Sequence, residues 1–84
     1  MTEAKLEFIR CLETGCYYNQ VSPEFKTADI LSVDDDFYLE SPEGYGSIEL
    51  RGNVTMSNGD RYAVDGWCDT TGWDCQSGMK VVKL

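Results

Sequence analysis

The chain has 84 residues, with 15 acidic side chains against 7 basic ones and no histidine, for a formal net charge of −8. Histidine-based catalysis and histidine metal ligation are excluded outright, and direct nucleic-acid binding is disfavoured, because phosphates repel a net anion that has few cations with which to displace counterions. A hydrophobic content of 42% with only 2 prolines gives material for a small core, and a chain of this length forms one domain, 1–84, that buries roughly 60–65% of its unfolded surface.

Residues 3–14 read as a short amphipathic helix. Thr2 can cap it, Glu3 suits its first turn, and Gly15 stands where a left-handed stop would be. Ala4, Phe8, Cys11 and Leu12 fall on one face at helical spacing. A strand through residues 6–12 is the competing reading, since Phe8, Ile9 and Cys11 all tolerate a sheet. Residues 16–21 then look extended, and Ser22-Pro23-Glu24 resembles a helix start, which predicts one or two turns over 23–28. Apolar runs at 30–33 and 37–39 read as short strands, followed by a turn at Ser41-Pro42-Glu43-Gly44.

The C-terminal half is clearer. Over 47–56, Ile48, Leu50, Gly52, Val54 and Met56 alternate with Glu49, Arg51, Asn53 and Thr55, which is strand period. Gly52 inside that strand suggests a bulge or a close backbone approach. Ser57-Asn58-Gly59-Asp60 is a hairpin signal, and 61–67 returns with Tyr62 and Val64 on one face. Residues 79–84 supply a further strand. The expected fold class is α+β, with a short N-terminal helix packed on a three- to four-stranded antiparallel sheet.

Charge is unevenly distributed. Residues 1–28 set Glu3, Glu7, Glu13 and Glu24 against Lys5, Arg10 and Lys26, and residues 51–84 balance Asp60, Asp65, Asp69 and Asp74 with Arg51, Arg61, Lys80 and Lys83. Between them, Asp29, Asp34, Asp35, Asp36, Glu40, Glu43 and Glu49 stand with no base at all, so residues 29–50 carry seven of the eight net charges. Such a patch is either a solvated loop or a surface that meets a basic groove on another protein, where complementary potentials steer encounter. Asp34-Asp35-Asp36 lacks the alternating spacing and central glycine of an EF-hand loop, so calcium is not indicated.

Both tryptophans lie in residues 66–78, where Gly66-Trp67-Cys68-Asp69 recurs as Gly72-Trp73-Asp74-Cys75. The stretch reads as a long glycine-hinged loop or broad turn between two strands, with each ring either plugging the core or exposed as an anchor. Cys11, Cys16, Cys68 and Cys75 have intervals that suit neither a zinc knuckle nor a Cys-x-x-Cys redox motif. They read as ordinary thiols, largely buried, with zinc and a disulfide as the alternatives. With no nucleophile-activating histidine and no phosphate loop, no enzyme and no cofactor are expected. The N-terminus lacks an apolar run of signal-peptide length, which points to a cytoplasmic protein with no membrane association.

Residues 67–78 resemble a segment seen in short phage- and prophage-encoded proteins. Size and acidity are similar to those of small host-inhibitor proteins of the anti-CRISPR type, several of which mimic DNA charge. The resemblance implies a protein-binding inhibitor in the host cytoplasm that blocks a nucleic-acid-binding host protein or ribonucleoprotein complex. The expected contact residues are Asp29, Asp34, Asp35, Asp36, Glu40, Glu43 and Glu49, anchored by Tyr45 and by Trp67 or Trp73. The alternative is a small structural module stabilised by zinc or disulfides. Either a monomer or a homodimer fits the sequence.

Overall fold

In the computed structural model, which describes residues 1–19, 24–40, 47–69 and 76–84, an N-terminal helix α1 runs over Glu3–Asn19. Thr2 caps it as expected: its Oγ1 accepts the backbone N–H of Lys5 at 3.2 Å, and its carbonyl takes the first helical hydrogen bond from Leu6 at 3.0 Å. The helix does not stop at Gly15. That residue is buried mid-helix, where a Cβ would fall 2.4 Å from Met79 Cε, so the missing side chain admits the methionine. Gly costs roughly 1 kcal/mol relative to Ala in a helix interior, and here it leaves room for the end of the Met79 side chain. Cys16–Asn19, expected to be extended, form the last turns of α1 instead. The buried face is Phe8, Cys11, Leu12 and Gly15, while Ala4 is exposed. The spacing is helical as read, but the face sits one turn further along.

The short helix expected at 23–28 is a single 3-10 turn at Thr27–Asp29, and Pro23 lies outside the described residues. Among the described residues six strand segments follow: β1 Ile30–Val33, β2 Tyr38–Glu40, β3 Ser47–Met56, β4 Arg61–Asp69, β5 Gln76–Ser77 and β6 Lys80–Lys83. All pairings are antiparallel. The segments exceed the expected strand count because both outer lanes are broken. β1 and β2 lie end to end along one side of β3, and β5 and β6 lie end to end along the far side of β4.

The central hairpin follows the alternation closely. β3 has the predicted bounds, and Gly59 takes a φ of +92° in the turn, a left-handed conformation that suits a residue without a Cβ. Met56 and Gly59 close the turn at 2.9 Å, with Met56 and Asp60 paired at 2.8 Å. Ile48, Leu50, Val54 and Met56 point toward α1, as do Tyr62 and Val64 from β4. Of the stretch read as a long loop or broad turn at 66–78, residues 66–69 belong to β4 and residues 76–77 to β5, while residues 70–75 lie outside the described residues.

The outer lane β1–β2 is irregular in two places. One extra residue, Leu31, bulges between Ile30 and Ser32. Further along, the four residues Asp34–Phe37 span only Gly52 and Asn53 of β3, because Val33 pairs with Val54 and Tyr38 with Arg51. The slack turns Asp35 and Asp36 outward and Phe37 toward the helix. Phe37 meets Phe8 edge-to-face at 5.3 Å, over Gly52. A Cβ on Gly52 would lie 3.0 Å from Phe37 Cβ and 3.3 Å from Phe8 Cζ. The close approach read from Gly52 is therefore this aromatic pair.

A second edge-to-face pair, Phe25 and Tyr62 at 5.0 Å, seals the hairpin end of the core. Among the described residues no buried side-chain polar atom lacks a partner, and no helix is long and apolar enough to cross a membrane.

Candidate functional site

One face of the sheet carries α1, and the other presents the alternate residues of every strand. Register sets those residues in cross-strand rows. Tyr38, Arg51, Asp65 and Lys80 form one row across β2, β3, β4 and β6. The next row, toward the ends of β2 and β4, is Glu40, Glu49 and Trp67, with Gly78 beside Trp67 through a 2.9 Å backbone hydrogen bond. Toward the hairpin, Thr55 and Arg61 are neighbours.

Trp67 is 43% exposed, so it is no core plug. Its indole lies across Gly78, where a Cβ would fall 2.5 Å from Nε1 and 3.2 Å from Cδ1. Gly66 also has no room for a side chain, since a Cβ there would lie 2.6 Å from both the Gly78 carbonyl oxygen and Met79 Cα. Two glycines thus bring β4 against its neighbour and let a flat ring rest on the sheet edge. Tyr38 supplies a second aromatic on this face. Arg51 stacks over it at 4.8 Å, and its hydroxyl donates to Glu40 Oε2 at 2.7 Å. That hydrogen bond, then desolvation and the nearby charges of Glu40 and Glu49, push the Tyr38 phenol above its usual range.

The acids expected to form one patch are spread along the β1–β2 edge and its margin on the open face. Asp29 sits at the hairpin end, where its carbonyl accepts the backbone N–H of Ser57 at 2.8 Å. There it lines a cavity of about 450 Å³ with Glu24, Asp60 and Lys83. Glu40 and Glu49 lie toward the opposite end, about 23 Å away along β3 at roughly 3.3 Å per residue.

Two acids of the basic-free segment acquire cations from other elements. Arg61 of β4 holds Asp34 at 2.6 Å, and Lys5 of α1 pairs with Asp35. The Asp34 hydrogen bond, followed by its charge and that of Asp36, raises the Arg61 guanidinium further above its already high range. The Lys5 hydrogen bond and charge hold the Asp35 carboxyl below the usual carboxylate range. Among the described residues, no cation lies within 4.0 Å of Asp36, Glu40 or Glu49. Glu40 and Glu49 face each other directly across β2 and β3, an arrangement that disfavours folding because like charges are held about 5 Å apart at Cβ.

Glu43, Tyr45 and Trp73 lie outside the described residues, as does the turn at 41–44. Tyr38, Arg51 and Gly78 are the members of this face that sequence reasoning missed. The alternation of 47–56 placed Arg51 outward, but pairing it with Tyr38 needed the register of β2.

The described cysteines offer no reactive centre. Cys11 is buried, its thiol donating to Glu7 Oε1 at 3.7 Å, and Cys16 is half-buried; burial pushes the Cys16 thiol up to about 11, which keeps it protonated at neutral pH. Cys75 lies outside the described residues, as does the Cys68 side chain, and no metal-holding group of three or more His, Cys, Asp or Glu occurs among the described residues.

Comparison of the chain with protein-family models, with curated proteins and with solved structures returns no match.

Proposed function

We propose that the protein is a non-catalytic binding protein that acts by occupancy. It sets its open sheet face and acidic β1–β2 edge against a basic surface that a host protein or ribonucleoprotein uses to hold nucleic acid, and so blocks it, in the manner of small phage-encoded inhibitors. The observation that carries this reading is the conjunction on one face of an exposed tryptophan, a stacked Tyr38–Arg51 pair and carboxylates that form no ion pair within 4.0 Å among the described residues. Trp, Tyr and Arg are the residue types that dominate interface energetics, and the acids around them complement lysine- and arginine-rich grooves.

Affinity capture from a bacterial lysate at low and high salt tests the proposal. A nucleic-acid-handling complex recovered at low salt and lost at high salt supports it, and recovery of no such complex at either salt overturns it. With the captured partner in hand, Asp34→Asn/Asp35→Asn/Asp36→Asn is expected to slow association more than it speeds dissociation. Because Arg61 and Lys5 already compensate two of those charges, Asp36→Asn/Glu40→Gln is expected to do so with less disturbance of the fold. Unchanged association in both variants would remove the acidic edge from the mechanism.

A further inference from the structure

We infer that the Glu40–Glu49–Trp67 row is a seat for an arginine side chain of the protein partner, with the guanidinium stacked on the Trp67 indole and its N–H edge donated to Glu49, Glu40 standing behind it. The inference rests on the binding reading above and names the group that anchors it.

Three features converge on this ligand. Trp67 has one side against the Gly78 backbone and keeps 43% of its surface open, a platform that the core does not use. Its register neighbour on β3 is Glu49, whose own neighbour on β2 is Glu40. Neighbouring outward Cβ atoms lie about 4.5–5.5 Å apart, so one guanidinium can reach both the ring and the Glu49 side chain. The two carboxylates repel each other, and a cation placed between ring and acids relieves that repulsion on binding. Finally, the same face already holds one guanidinium over an aromatic ring, Arg51 over Tyr38 at 4.8 Å, where Glu40 accepts the tyrosine hydroxyl.

Charge complementarity calls for a cation, and geometry selects arginine over lysine. A planar guanidinium can stack on an indole while offering paired N–H donors in its plane to a carboxylate, whereas an ammonium is a compact, strongly hydrated point charge.

The test uses three short Gly/Ser peptides, each carrying three arginines, three lysines or three citrullines at the same positions, titrated into the isotopically labelled full chain. The arginine peptide is expected to move the Trp67 indole N–H and the Glu49 amide resonances and to bind about fivefold tighter than the lysine peptide, with citrulline inert. Glu49→Gln, which preserves volume at an exposed site, and Trp67→Ala are each expected to weaken arginine binding about fivefold. Asp60→Asn, at the opposite end of the sheet, is expected to leave it unchanged. Equal binding of the arginine and lysine peptides overturns the inference, as does wild-type binding by Glu49→Gln. If the arginine peptide binds as expected and the lysate yields no nucleic-acid-handling complex, the seat stands and the proposed target falls. If such a complex is captured equally by wild type, Glu49→Gln and Trp67→Ala, the target stands and the seat falls.

Discussion

The two faces of the sheet are built on different terms. Toward α1, Leu50, Val54 and Val64 are essentially inaccessible and pack with Phe8 and Leu12 from the helix. On the opposite face the same strands present Arg51, Asp65 and Trp67 in cross-strand rows. The covered face satisfies one requirement, removal of apolar surface from water. The open face includes an arrangement that stability alone would remove, the directly opposed Glu40 and Glu49 beside a half-exposed indole. On the reading proposed above, this charge pair beside an aromatic platform is binding chemistry held at some cost to folding.

The contrast can be broken most forcefully from the covered side. Phe8 touches Phe37, lies against Gly52 and has no accessible surface. Phe8→Ala is expected to cost about 3–5 kcal/mol, a large share of the stability of so small a domain. Chemical denaturation followed by circular dichroism measures it; a loss below about 1 kcal/mol would mean that the helix is not seated as described.

On the open side the expected sign reverses. Glu49→Gln removes the like-charge opposition while keeping the side-chain volume, and is expected to raise stability by about 0.2–1 kcal/mol as it weakens binding. A destabilised Glu49→Gln would show that Glu49 serves the fold, and the distinction between the faces would lose its main support.

The smallest effect concerns the margin between them, where Lys5 holds Asp35. The folded-state carboxyl is depressed, chiefly by the Lys5 hydrogen bond. The pair therefore contributes above the unfolded value of about pH 4 and its contribution is lost as pH falls through the lower folded value. The stability difference between wild type and Asp35→Asn should accordingly be small at neutral pH and vanish in acid. Urea midpoints between neutral and acidic pH check this. A difference that persists unchanged into acid would assign the effect to packing and not to charge.

Some of this was legible in the chain and some was not, for reasons that differ by residue. Thr2 and Asn58-Gly59 act within a few positions of themselves, so the cap and the hairpin turn could be read locally. Gly15 could not, because its role depends on Met79, brought to it from the other end of the chain. The lone acidic segment was legible as a run of charges. Its partial compensation was not, since Lys5 and Arg61 arrive from α1 and β4. For Trp67, the Gly-Trp repeat drew attention to the ring, but its exposure and its rest on Gly78 follow from the pairing of β4 with its neighbour.

What the amino-acid order determined by itself is the local periodicity: a helix, a long alternating strand, its hairpin return, and an anionic segment placed between helix and hairpin. These depend on dihedral preference and on the periods of 3.6 and 2 residues, which neighbouring residues express without help. Tertiary structure alone decided where that charge is neutralised and where it is left exposed. Ion pairs and aromatic contacts act between side chains a few ångströms apart in space, and only strand register brings Glu40, Glu49 and Trp67 into one row.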